Sequence, residues 1–140
     1  MAKMIFVNLP VTDLARSIAF YKAIGAEQNL DFSDETGACM VLSETICVML
    51  LTHAKFAQFT QRRIIDAKSE VQVLLCVMED SREAVDAVVA KAGEAGGGVD
   101  PNPTQDYGFM YGRSFDDPDG HIWEVSWMDL DAFKESAAAA

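Results

Sequence analysis

Positive charge is scarce in this chain: 11 Lys and Arg stand against 22 Asp and Glu, for a net charge of −11. Nucleic acid and anionic membrane surfaces both need a basic footprint, so neither is expected as the main partner. Cysteine is scarce too. Cys39, Cys47 and Cys76 lie inside apolar runs without CxxC spacing, which argues against a disulfide framework or a zinc knuckle and predicts three buried thiols in a reducing compartment. Histidine is limited to His53 and His121, and neither stands in a Ser-His-Asp or Cys-His pattern along the chain. His53 falls just past a strand end, where it reads as solvent-exposed, and His121 reads as a structural hydrogen bond at a strand start. No apolar run approaches membrane-spanning length, and the N-terminus lacks the succession of a signal peptide. A cytoplasmic protein is the expectation.

What is present is a repeated order of elements within one unit of 140 residues, a length that buries about two-thirds of its unfolded surface. Met4 to Leu9 reads as a short strand ended by Pro10. Thr12 or Asp13 caps a helix that runs to about Ala23, with Leu14, Ile18 and Tyr21 as its buried stripe and Gly25 as its stop. Strands follow over 26–33, 38–42 and 46–52, divided by Asp34-Glu35-Thr36-Gly37 and Ser43-Glu44-Thr45. A polar connector, 53–69, leads to the same order again. The second round has a strand over 71–77, then a helix capped by Asp80 with Glu83 that buries Val85, Val88, Val89 and Ala92. Strands over 99–104, 108–115 and 122–127 complete it. Gly93 to Gly98 resembles a phosphate loop only in glycine content, because it follows a helix where such a loop opens one. A short helix from Asp129 and a frayed Ala137–Ala140 tail end the chain.

The expected fold is therefore α+β: two βαβββ modules, 4–52 and 70–128, forming a curved mixed sheet around a cleft, followed by a C-terminal segment 129–140. The last strand opens at Asp117-Pro118-Asp119-Gly120, a tight-turn signal. Trp123, Val125 and Trp127 alternate with Ile122, Glu124 and Ser126. Glu124, a carboxylate in mid-strand between aromatics, is the chief candidate for chemistry. Alternation names the other cleft-facing positions as Phe6 and Asn8, then Val48, Leu50 and Thr52, then Gln72, Leu74 and Cys76, and finally Ser126. Phe109, Tyr111 and Arg113 share a face of their strand, read as the inner one. Such an aromatic stripe with an Arg suits an anionic or planar ligand.

The stretch Val11-Thr12-Asp13-Leu14-Ala15-Arg16-Ser17-Ile18-Ala19-Phe20-Tyr21, the Asp-Pro-Asp-Gly turn before Ile122-Trp123-Glu124, and the doubled βαβββ order resemble the vicinal oxygen chelate superfamily. That superfamily includes glyoxalase I, extradiol dioxygenases, fosfomycin-resistance proteins and bleomycin-binding proteins. The resemblance implies four inner-face ligands to one divalent ion, and these fall on Phe6, Leu50, Gln72 and Glu124. Phe6 and Leu50 have no lone pair to give, so a metal would rest on Gln72 and Glu124 alone, too few for a firm site. The expectation is a glyoxalase- or bleomycin-resistance-like protein with a degenerate metal site and no cofactor. It would bind a small organic molecule through Phe6, Asn8, Leu50, Thr52, Gln72, Leu74, Phe109, Tyr111, Arg113 and Glu124. The alternatives are a metal-dependent glyoxalase-like lyase, isomerase or dioxygenase, and a metal-free enzyme with Glu124 as general base. The resemblance also implies a homodimer.

Overall fold

Asp13 sets the first helix. Its carboxylate accepts the Arg16 N–H, with extended backbone at the cap, and α1 (Leu14–Ala23) follows. The computed structural model describes residues 2–139. The first strand, β1 (Ile5–Val11), continues through Pro10 instead of stopping there. A ladder tolerates proline at an edge, and β1 is an edge strand of its sheet. The rest of the first unit is β2 (Glu27–Asn29), a 3₁₀ turn (Leu30–Phe32), β3 (Gly37–Val41), β4 (Ile46–Thr52) and α2 (His53–Phe56). The predicted 26–33 strand is cut short at Asn29, whose carboxamide accepts the Asp31 N–H and turns the chain.

The second unit begins past Glu70. It comprises β5 (Leu75–Met78), α3 (Arg82–Glu94), β6 (Gly98–Val99), β7 (Gln105–Asp106), β8 (Met110–Asp116), β9 (Ile122–Met128) and α4 (Leu130–Ala139). Ser81, not Asp80, caps α3, accepting the Ala84 N–H at 3.0 Å. Ala137 to Ala139 belong to α4 instead of fraying, and Ala140 lies outside the described residues.

The two sheets repeat one topology. In the first the order is β1-β4-β3-β2, with β1 and β4 parallel and the others antiparallel. In the second it is β5-β9-β8-β6, again with the first pair parallel, and β7 adds to β8. Each unit covers one sheet face with its helix. In the first, Leu9, Val11, Met40, Val48 and Leu50 are buried together with Ser17, Phe20 and Tyr21 of α1. The helical stripe thus centres on Ser17, Phe20 and Tyr21, with Leu14 and Ile18 half-buried at its flanks. Phe20 and Tyr21 meet edge to face at 5.3 Å, and burying such a ring contributes about 1.5–3 kcal/mol. In the second unit, Val85, Val89 and Ala92 of α3 are buried along with Phe115, Trp123 and Val125 of β8 and β9.

The Asp117 turn works through its side chain. The buried Asp117 carboxylate accepts the N–H groups of Asp119 (3.0 Å) and His121 (2.9 Å), while the Gly120 N–H reaches the Asp117 carbonyl. Gly120 closes the turn at φ +97°, a conformation that favours glycine.

Candidate functional site

Each sheet turns its other face away from its helix, and each of these faces carries a cavity. In the first unit the open face is set by the parallel register, which pairs Phe6 with Cys47 and Asn8 with Met49. Phe6, Asn8, Met49, Leu51 and Gly37 floor a cavity of about 560 Å³, and Asp31, Phe32, Ser33, Asp34, Thr36 and Lys55 wall it. That volume is in the range of sites for small organic ligands. Phe6 is 51% exposed and Phe32 69% exposed, so two aromatic rings stand uncovered at one concavity.

The walls come from two turns. Asn29 launches the 3₁₀ turn that carries Asp31 and Phe32. Asp34 then collects three donors on one oxygen, from the Thr36 N–H (2.7 Å), the Thr36 hydroxyl (2.7 Å) and the Gly37 N–H (3.1 Å). Those bonds, the Thr36 hydroxyl first, hold its carboxyl below the ordinary Asp value. Thr52 caps α2 by accepting the Lys55 N–H.

Leu50 and Thr52 are on the helix side of β4, correcting the inner face assigned to them: Leu50 is fully buried and pairs in register with Leu9. The cavity face of β4 belongs to Met49 and Leu51. Alternation could not separate the two sets, because Ile46-Cys47-Val48-Met49-Leu50-Leu51 is apolar at every position, the mark of a strand covered on both faces.

In the second unit Glu124 and Ser126 do face away from the helix, with Cys76 paired to Glu124 in the parallel register and Gly112 and Ser114 opposite Ser126 and Glu124. They line a cavity of about 110 Å³ together with Asn102, Gln105 and Met110. Glu124 is half-buried there. Cys76 is exposed, contrary to the expected buried thiol, and its Sγ lies 3.7 Å from Ser126 Oγ, while Cys39 and Cys47 are buried and all three are free. A Cβ on Gly112 would approach Ser126 Oγ at 2.9 Å, so the missing side chain is part of what keeps this cavity open.

Gln72 and Leu74 are both exposed and precede β5, which begins only at Leu75. Tyr111 and Arg113 share a face as alternation demands, but their polar ends turn to the helix, while Arg113 also borders the smaller cavity. Tyr111 donates its hydroxyl hydrogen to Asp86 of α3 at 2.6 Å, and Arg113 donates to Asp86 (2.9 Å) and through two nitrogens to Asp100 (2.8 and 3.1 Å). The Arg113 guanidinium is therefore committed to two carboxylates of its own unit. Asp86 is held below the ordinary Asp value by the Tyr111 hydroxyl and then Arg113, Asp100 by Arg113, and the Tyr111 hydroxyl is pushed up by Asp86. Phe109 precedes β8 and packs against Tyr107 (6.4 Å between ring centres) and Phe133 (5.7 Å).

Phe6 offers no lone pair, Leu50 is turned to the helix, Gln72 is off the strand, and among the described residues no three His, Cys, Asp or Glu side chains are grouped as metal ligands.

The profile of the glyoxalase/bleomycin resistance protein/dioxygenase superfamily matches residues 3–125. The chain belongs to that superfamily. Among solved structures that it resembles, a hypothetical protein from S. aureus is 30% identical, with a TM-score of 0.74 over 91% of this chain and 94% of that one. A glyoxalase/bleomycin resistance protein/dioxygenase family enzyme from Burkholderia phytofirmans PsJN is 22% identical, with a TM-score of 0.73 over 91% of this chain and 99% of that one. A glyoxalase-related enzyme from Fulvimarina pelagi reaches 0.73 at 17% identity over 91% of this chain and 88% of that one. The last two share the superfamily fold, which hosts many activities and by itself assigns none. No curated protein matches the chain.

Proposed function

We propose that this superfamily member binds a small organic molecule in the first unit's cavity and does so without a resident metal ion. The observation that carries the reading is the floor of that cavity. Phe6 presents only carbon where the resemblance puts a metal ligand, Met49 and Leu51 continue that apolar floor, and the polar side chains Asn8, Asp31, Ser33, Asp34, Thr36 and Lys55 are set at different points around it. An apolar floor with polar groups placed around it is how proteins hold organic ligands.

The test is a thermal-shift screen of a small-molecule library, repeated on Asn8→Trp. Asn8 is exposed on an edge strand, where Trp is a favourable strand residue, so this variant fills the cavity and leaves the fold in place. A ligand at about 100 times its Kd stabilises by about 2.7 kcal/mol, which is several degrees in Tm. Hits are expected, and Asn8→Trp is expected to lose them while its circular dichroism is unchanged. Hits that bind the variant equally well would place the site elsewhere and end the reading.

One observation favours a second reading. Glu124 opens onto the smaller cavity beside Cys76 and Ser126, a placement suited to a metal-free enzyme in which this carboxylate takes a proton. Under that reading Glu124→Gln abolishes turnover of a substrate that it still binds.

A further inference from the structure

The charge and the rings around the larger cavity define its occupant further, on the reading that this cavity is the ligand site. Its walls hold two carboxylates, Asp31 and Asp34, against one ammonium, Lys55. The Lys55 Nζ lies 5.6 Å from the centre of the Phe59 ring and 3.5 Å from Gln58 Oε1, and its charge also reaches Asp34, so the walls keep one negative charge in excess. Asp34 spends one oxygen on its turn, all three of its donors meeting Oδ1. Its other oxygen is left for a ligand, and Asp31, exposed on the 3₁₀ turn, adds a second carboxylate to the lining of the same cavity. Beside them stand Phe6 and Phe32 with uncovered rings. An aromatic face is electron-rich, so it attracts a cation as well as stacking on a planar group. Negative walls and negative ring faces select the same sign of ligand charge.

We infer that the cavity takes a planar aromatic molecule bearing a protonated amine, with its ring against Phe6 and Phe32 and its ammonium toward Asp31 and Asp34.

The test uses two probes that share a ring and a two-carbon arm and differ in the charge at its end, tryptamine and indole-3-propionate, titrated calorimetrically into the full chain at low salt. Tryptamine is expected to bind at least fivefold tighter. Asp31→Asn should weaken it about threefold, the size of an exposed ion pair. Phe32→Ala should weaken it by about the same factor through loss of the cation–ring contact. Equal or tighter binding of indole-3-propionate, if lost in Asn8→Trp, overturns the amine assignment and leaves the cavity as the site. Tryptamine binding that survives Asn8→Trp also overturns it, because the amine is then held elsewhere on an acidic surface. Binding of neither probe overturns the inference and leaves the cavity reading to the library screen and Asn8→Trp.

Discussion

Asp100 has φ +51°, in the left-handed region that Asn and Asp adopt more readily than other side chains. Its carboxylate takes two Arg113 nitrogens, and its N–H reaches the Ser114 carbonyl at 2.9 Å. Asp100→Ala loses both the ion pair and the backbone preference, and Asp100→Asn only the charge. The pair is partly exposed, so Asp100→Asn should cost about 1 kcal/mol and Asp100→Ala about twice that, read from urea unfolding midpoints. The same carboxylates give a pH dependence. Asp86 and Asp100 titrate below the ordinary Asp value, and the Arg82 guanidinium holds Asp106 down to about 2. Folded values below the unfolded one, about 3.9, mean that this stability is in full force above that pH. It drains away as protons are added down through the folded values. Thermal unfolding should therefore fall most steeply between about pH 4 and about pH 2, and Asp100→Asn should flatten that slope. An equally steep slope in the variant would show that other carboxylates set it.

At the scale of elements, the start of α3 is held by individually named contacts. Ser81 begins it, and Arg82 ties its first turn to Asp106 by two bonds of 2.8 and 2.9 Å while lying over the rings of Tyr111 and Trp127. Ser81→Ala should cost about 1 kcal/mol, measurable as a lowered urea midpoint with unchanged m-value. Sequence reasoning found this helix and its buried Val85, Val89 and Ala92, while Val88, expected with them, is half-buried at the flank; spacing of 3.6 residues per turn is local information. It chose the wrong cap because Asp80 and Ser81 are both good capping residues, and only the extended backbone at Ser81 decides between them. On β8 the pairing of Tyr111 with Arg113 was legible, but the side they face was not. That side depends on Asp86, 25 positions from Tyr111, and Asp100, 13 positions from Arg113, which meet them through folding. Gly112 and Ser114, the small residues on either side of Arg113, were the signal that the other side of the strand was kept open.

For the whole molecule, we propose a homodimer, supported by the aliphatic residues the chain leaves uncovered: Val71, Val73, Leu74 and Met78 are all more than 45% exposed. Light scattering after gel filtration should give twice the chain mass, and Val73→Glu combined with Met78→Glu should return it to that of one chain. A single-chain mass for the unaltered protein would end this proposal. Neither sheet needs such a partner for its own pairing, since each closes the same four-strand ladder within its unit. No helix among the described residues is long and apolar enough to cross a membrane.

The sequence by itself determined the doubled βαβββ order, the place of α1 with its cap at Thr12 or Asp13, the extent of β4, the Asp117 turn and the placing of Glu124 and Ser126 away from the helix. All of these rest on neighbours a few residues apart, through helical spacing, strand alternation or turn chemistry. Tertiary structure alone decided which side of an all-apolar β4 meets the helix. It decided too that Arg113 is spent on Asp86 and Asp100, and that Asp31, Phe32 and Lys55 converge on Phe6. A side chain's periodicity gives its company along the strand. The face that company turns to solvent is fixed by what packs against the other face, and that information is spread over the whole unit.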